Sequence, residues 1–301
     1  MRTSSSSASP SRSPRVLAVV NQKGGCGKTT TAINLAAVLA RSGERTLLVD
    51  MDPQGHCAAG LGIPESRIET SMSQALGGSI DSIDAESLLW EVSRNLWLAP
   101  STVDLAAFEA TTPGADRDRR LERLLARIGA DFRWCVIDCP PTIGLLTFNA
   151  LRACHEAIVP VETGYFSLRG AERQVATVQA VASRLRREVP LRLLASMHRE
   201  GTKVAQEVLA ALSRRFPEFV IPVVVRDHEV LREAASFGQA IVEYAPESPA
   251  HEDFRQLVEW LRQNAPPAPT SELVGAAIEH AMHAASLGAT ASFGSADLGV
   301  G

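Results

Sequence analysis

Residues 16–30 read Val16, Leu17, Ala18, Val19, Val20, Asn21, Gln22, Lys23, Gly24, Gly25, Cys26, Gly27, Lys28, Thr29, Thr30. The apolar run Val16 to Val20 has the length and β-branched content of a buried strand, and a helix-like pattern runs from Thr29 to Ala40. A glycine-rich turn between strand and helix directs backbone N–H groups at a polyphosphate, so Gly24, Gly25, Cys26, Gly27, Lys28, Thr29 and Thr30 form the expected cradle. Lys28 is placed to reach the β and γ oxygens, and the Thr29 hydroxyl to hold Mg²⁺. The usual pattern G-x-x-x-x-G-K-[ST] has glycine where this chain has Gln22, and it does not require a lysine at Lys23. Two lysines therefore converge on one phosphate site.

Two acidic strand ends extend the pattern. Thr46 to Val49 runs into Asp50, Met51, Asp52, Pro53, Gln54 and Gly55, and ligands in open α/β sheets bind beyond the carboxyl ends of the strands. A carboxylate beside a γ-phosphate orients or deprotonates the attacking water, or holds a metal-bound water. The run Cys135, Val136, Ile137, Asp138, Cys139, Pro140, Pro141 is again an apolar strand ending in an acid, which sets Asp138 near Mg²⁺ through water. Singly, a glycine-rich loop is often a plain turn and a strand-end Asp a helix cap. Their succession within one sheet makes the site a nucleotide site.

Strand-like runs at Val16 to Val20, Thr46 to Asp50, Leu96 to Ala99, Trp134 to Asp138, Ala157 to Val161, Leu191 to Met197 and Phe219 to Val225 alternate with helix-like stretches. The helices include Thr29 to Arg41, Ala115 to Ile128, Ser167 to Arg187, Thr202 to Phe216 and Pro249 to Gln263. The alternation predicts an α/β fold, a doubly wound, mostly parallel sheet with helices on both faces, as one domain over 15–264. Residues 1–14, rich in Ser, Pro and Arg, read as a disordered tail, and 265–301 as a flexible tail with a short marginal helix. The 301 residues are 45% apolar and 21% charged with a net charge of −4, so any nucleic-acid contact must come from a local basic patch. No apolar run has the length of a membrane span and no signal-peptide pattern opens the chain, which points to a soluble, cytoplasmic protein. The five cysteines are odd in number and lie in strands and loops of the expected core, as reduced thiols.

The segments KGGCGKTT and VDMDPQGHCAAGLG, within Val19 to Gly62, resemble the ParA/Soj branch of the deviant Walker A ATPases, a group of P-loop NTPases that also contains MinD. The similarity continues through IDCPPTIGLLTFNAL, VPVETGYFSLRG and ASFGQAI, covering most of 15–260. The resemblance implies a slow, partner-stimulated ATPase in which Mg²⁺–ATP sandwiches two copies of the chain. It implies that Lys23 crosses to the partner's phosphates while Lys28 and Thr29 serve their own subunit. Asp52 would orient the hydrolytic water and, like Asp138, contact Mg²⁺ through water, and Asp50 would brace the site. It further implies that the ATP dimer binds DNA without sequence preference on the nucleoid, and that a ParB-like centromere-binding protein triggers hydrolysis in chromosome or plasmid segregation. The alternatives are a related ATPase that positions a protein cluster or organelle through another cargo adaptor, and a membrane-associated division regulator like MinD. The C-terminal tail carries no lysine or arginine on a polar face, so no stable membrane association is expected.

The chain departs from the family where DNA is gripped. Relatives often read T-M-Y-D-x-R-T, and here Ser196 to Lys203 places Gly201 at the arginine. Cations lost there and near Arg226 are replaced by others, leaving Arg199, Lys203, Arg214, Arg215, Arg226 and Arg232 as candidate phosphate contacts, since backbone contacts need charge more than fixed geometry. A redox role shared with iron–sulfur relatives is disfavoured: Cys135 and Cys139 lie four apart on a strand, a span of over ~10 Å, and the chain holds no C-x-x-C.

Overall fold

The computed structural model describes residues 13–111, 116–164 and 167–266. The expectations for residues 1–12 and 267–301 lie outside that range. Among the described residues eight strands form one sheet: β1 (Arg15–Val19), β2 (Thr46–Asp50), β3 (Trp90–Ser93), β4 (Leu96–Ala99), β5 (Trp134–Asp138), β6 (Glu156–Glu162), β7 (Leu191–His198) and β8 (Val220–Arg226). Their order is β3-β4-β2-β5-β1-β6-β7-β8. Neighbours pair in parallel except β3, which is antiparallel to β4.

The helices are α1 (Lys28–Arg41), α2 (His56–Gly60), α3 (Met72–Gly77), α4 (Ala85–Leu88), α5 (Leu105–Thr111) and α6 (Arg120–Ile128), followed by α7 (Leu145–Ala153), α8 (Ser167–Arg184), α9 (Lys203–Arg215), α10 (Glu229–Ser236), α11 (Ile241–Tyr244) and α12 (Pro249–Gln263). Alternation along each strand divides the core. Leu17, Val19, Leu48, Val136 and Ile158 face α1, α2 and α10 to α12, whereas Val16, Ala18, Leu47, Val49, Cys135 and Ile137 face α3 and α5 to α9. Helix α1 is buried along most of its length because it is enclosed by the sheet on one side and by α11 and α12 on the other.

The seven expected strands are present, each to within a residue at either end. Strand β3 was not expected: it is short, mixes Glu91 and Ser93 with apolar residues, and pairs only with β4 at the sheet edge. The signal for it is the two-residue turn Arg94-Asn95, where Asn95 adopts φ 67°. The helix expected over Ala115 to Ile128 begins only at Arg120, after a 3₁₀ turn over Arg117–Arg119. Helix α7 holds that tighter turn: Arg152 donates to Asp118 Oδ2 at 2.7 Å, and the Asn149 amide donates to the Arg117 carbonyl at 2.9 Å while accepting from Leu121 N at 3.0 Å. No helix among the described residues is long and apolar enough to cross a membrane.

Candidate nucleotide site

Strand register brings the loop and both acidic turns to one level. Val19 lies opposite Asp138 across β1 and β5, and Asp50 lies opposite Asp138 across β2 and β5. The phosphate loop, Asp52 and Asp138 therefore meet at the carboxyl ends of three adjacent strands, although Asp138 is far along the chain.

Gly25 and Gly27 take φ of 70° and 86°, left-handed conformations that side-chain-bearing residues rarely adopt. Gly27 caps α1 without a side-chain hydrogen bond, and the first turn of α1 has no acidic residue, so its free N–H groups and positive dipole end are open to an anion. The loop is anchored from behind by residues the sequence did not single out for this role. Asn21 Nδ2 donates to the Pro160 carbonyl at 2.7 Å and its Oδ1 accepts from Lys23 N at 2.9 Å, while Ser196 Oγ donates to the Cys26 carbonyl at 3.0 Å. Gln22 and Gln174 exchange two hydrogen bonds, from Gln22 N to Gln174 Oε1 at 3.3 Å and from Gln174 Nε2 to Gln22 Oε1 at 3.2 Å. Gln22 thus ties the loop to α8 where the common motif has a glycine. Thr30, in the first turn of α1, gives its carbonyl to Asn34 Nδ2 at 2.8 Å, and Asn34 Oδ1 accepts from Ile241 N, which fixes the helix against α11.

The two lysines do not converge within one chain. Lys28 is 8% exposed and donates from Nζ to the Lys23 carbonyl at 3.2 Å, curling over the loop, whereas Lys23 extends outward with its Nζ paired to Glu162. Its side chain is 59% exposed. Lys23 is held at the surface, beside the cradle.

Thr29 Oγ1 donates to Asp138 Oδ2 at 2.7 Å. Asp50, fully buried, accepts Asp52 N on Oδ1 at 2.9 Å and Cys57 N on Oδ2 at 3.0 Å, which holds the 51–57 loop closed. Asp52 lies beyond the end of β2, not on its face, and its Oδ1 accepts from Gln54 N at 3.0 Å. Burial raises the Asp138 carboxyl to about 7, against the partial offset of the Thr29 hydrogen bond. Burial, and then the charge of Asp138, pushes Asp50 well above the ordinary carboxylate range. Asp138 Oδ1 is buried with no hydrogen-bond partner among the described residues. An uncapped helix end, a buried lysine, a hydroxyl on a carboxylate and an orphaned carboxylate oxygen together fit a Mg²⁺–nucleoside polyphosphate.

These acids give the site a pH signature. The folded protein keeps a proton on Asp138 that the unfolded chain releases near pH ~4, so between there and about pH 7 stability falls as pH rises. Mg²⁺ and nucleotide are expected to raise the thermal midpoint more at about pH 8 than at about pH 6, because binding at the lower pH must first expel that proton. Asp138→Asn is expected to remove the difference and to stabilise the nucleotide-free protein at about pH 8. Equal shifts at both pH values in the wild type would contradict this.

The candidate DNA contacts divide into two groups. Arg199, Lys203, Arg226 and Arg232 lie around the ends of β7 and β8, and Arg214 and Arg215 at the far end of α9, one helix length of about 20 Å away. Five of the six already face carboxylates: Arg199 and Arg232 on Asp227, Lys203 on Glu207, Arg215 on Glu172, and Arg226 on Asp253 and Glu200. Arg214 is exposed and has no ion pair among the described residues. The sequence shows the cations of this face, and the fold supplies the acids that partly neutralise them.

A family model described as an AAA domain matches residues 14–191. The sporulation initiation inhibitor protein Soj of Bacillus subtilis is 35% identical over 83% of this chain and 99% of its own length. The chromosome-partitioning ATPase Soj of Thermus thermophilus is 39% identical over 81% of this chain and 94% of its own. Among solved structures, cobyrinic acid a,c-diamide synthase from Mycobacterium smegmatis, with bound ATP analog and magnesium, superposes with a TM-score of 0.71 at 29% identity, covering 85% of this chain and all of that one.

Proposed function

The chain belongs to the ParA/Soj family of ATPases, and from that premise we propose that it is a partitioning ATPase whose ATP-bound form is a dimer that holds duplex DNA on the nucleoid until a ParB-like partner stimulates hydrolysis. The observation that carries the reading is the pairing of a complete phosphate cradle with a lysine held outside it. Backbone N–H groups of Gly24 to Thr30 and the start of α1 bind the phosphates, and Lys28 neutralises them from within its own subunit. Thr29, with Asp138 through water, would hold Mg²⁺, which would supply positive charge against the phosphates. Asp52 accepts a hydrogen bond from the attacking water and aligns it. Lys23 exchanges Glu162 for the phosphates of the second copy, so dimer formation and completion of the active site are one event.

The test is light scattering together with binding of random-sequence duplex, each with and without ATP. Dimer and DNA binding that both require ATP, with DNA affinity falling steeply with salt, support the proposal. Binding that is indifferent to ATP, or absent at low salt, removes the DNA part.

The ion pairs separate the candidate cations by expected effect. Arg214→Ala is expected to weaken DNA binding uniformly across sequences and flatten the log–log salt slope by about one unit without affecting stability. Arg226→Ala is expected to destabilise instead, by about 1–3 kcal/mol in denaturant unfolding, because it strips a charged partner from the buried Asp253. An unstable Arg214→Ala and a fully stable Arg226→Ala would reverse that assignment.

A further inference from the structure

Behind Thr29 the fold gathers three side chains that the nucleotide reading uses only in part. Asp50, Cys57 and Asp138 are fully buried, and one ligand-capable atom of each lies within 4.8 Å of the others. Cys57 Sγ stands 3.5 Å from Asp138 Oδ2. A tetrahedral ion bound at about 2.3 Å to sulfur and about 2.0 Å to oxygen sets its two donors about 3.5 Å apart. The thiol is held in place without any ion, since Cys57 opens the second position of α2 and its N–H is bound to Asp50 Oδ2 at 3.0 Å. Each Asp50 oxygen accepts one backbone N–H and keeps a free lone pair, and Asp138 Oδ1 is buried with no partner among the described residues. A buried group of two carboxyls and a thiol, with one oxygen unsatisfied, has ligand capacity that the hydrogen bonds among the described residues leave unused.

We propose that Asp50, Cys57 and Asp138 form a second divalent-cation site, adjacent to the Mg²⁺ position at Thr29, that takes a borderline or soft ion of the Zn²⁺ or Cd²⁺ class. Thiolate favours such ions, whereas Mg²⁺ demands octahedral oxygen ligands and retains water. As the metal bonds form, the Cys57 thiol proton and the protons that burial keeps on Asp50 and Asp138 leave to solvent, and no electrons are transferred. Asp138 is shared: its Oδ2 is both the acceptor of the Thr29 hydroxyl and the neighbour of the thiol. An ion at Cys57 therefore draws Asp138 away from Thr29 and antagonises Mg²⁺–nucleotide. A cavity of about 350 Å³ is lined in part by Thr29, Thr30, His56 and Gly60, and Thr29 is one hydrogen bond from Asp138. The site goes beyond the proposed partitioning activity and stands independently of it, because its deciding readout is taken without nucleotide.

The full chain, free of nucleotide, is titrated with Cd²⁺ and followed by the ultraviolet thiolate-to-cadmium charge-transfer band. The expected result is a band that saturates at one ion per chain, is lost in Cys57→Ser and Cys57→Ala while circular dichroism shows the fold retained, and persists in Cys26→Ser. Adding Mg²⁺–ATP is expected to raise the Cd²⁺ concentration needed by roughly tenfold or more. No band in the wild type overturns the proposal, as does a band that survives Cys57→Ala. A band lost in Cys26→Ser also overturns it, because the ion then sits on the phosphate loop.

Discussion

Lys23→Ala is expected to lower ATP turnover by about three orders of magnitude or more, the scale of a cation supplied in trans to a transferring phosphoryl group. The geometry separates this loss from a binding defect. Lys28 is folded over the loop on the Lys23 carbonyl, a backbone atom that the substitution leaves in place, and the glycine conformations and open α1 terminus do not involve the Lys23 side chain. A fluorescent ATP analogue should therefore bind the monomer with affinity within a few-fold of wild type, while the ATP-dependent rise in light scattering disappears. The wild-type ion pair with Glu162 costs little to exchange, because both side chains are solvated, 59% and 35% exposed. An ATP-dependent dimer of normal strength in Lys23→Ala would assign the lysine a role other than reaching the second copy. A large loss of monomer affinity would place it in the same subunit's cradle.

Asp52→Ala is expected to reduce turnover by about 10²–10⁴-fold, the contribution of a positioned proton acceptor, while leaving ATP binding and dimerisation intact. The ATP dimer should accumulate, and DNA binding should persist long after the wild type has released. The distinction from Asp50 is structural. Asp50 is fully buried and spends both oxygens on the backbone N–H groups of Asp52 and Cys57, so its removal frees the loop and is read as lost stability. Among the described residues the Asp52 carboxylate has only the Gln54 N–H, on Oδ1, which leaves the other oxygen for water. Rapid release from DNA by Asp52→Ala, with ATP still consumed, would transfer the catalytic role to another group.

The sequence was most legible where function rests on local backbone chemistry. Gly25 and Gly27 between an apolar strand and a helix allow the left-handed turns of the cradle, and the alternation of apolar strands with helix-like stretches gives the parallel α/β class. Strand β3 was missed because a short edge strand with Glu91 and Ser93 has no buried alternation to betray it. The start of α6 was misplaced because Asn149 and Arg152, on another helix, decide it.

By itself, then, the sequence determined the phosphate loop, the acidic strand ends and the family, since each is written in consecutive residues whose conformations are locally imposed. Only the tertiary structure decided what those residues do to one another. Insertion of β5 between β1 and β2 sets Asp50, Cys57 and Asp138 in one buried group, and the packing of β7, β8, α10 and α12 places Asp227 and Asp253 against Arg199, Arg226 and Arg232. The reason is that charge, burial and ligation depend on distance in space, and in a sheet that distance is set by strand order and register.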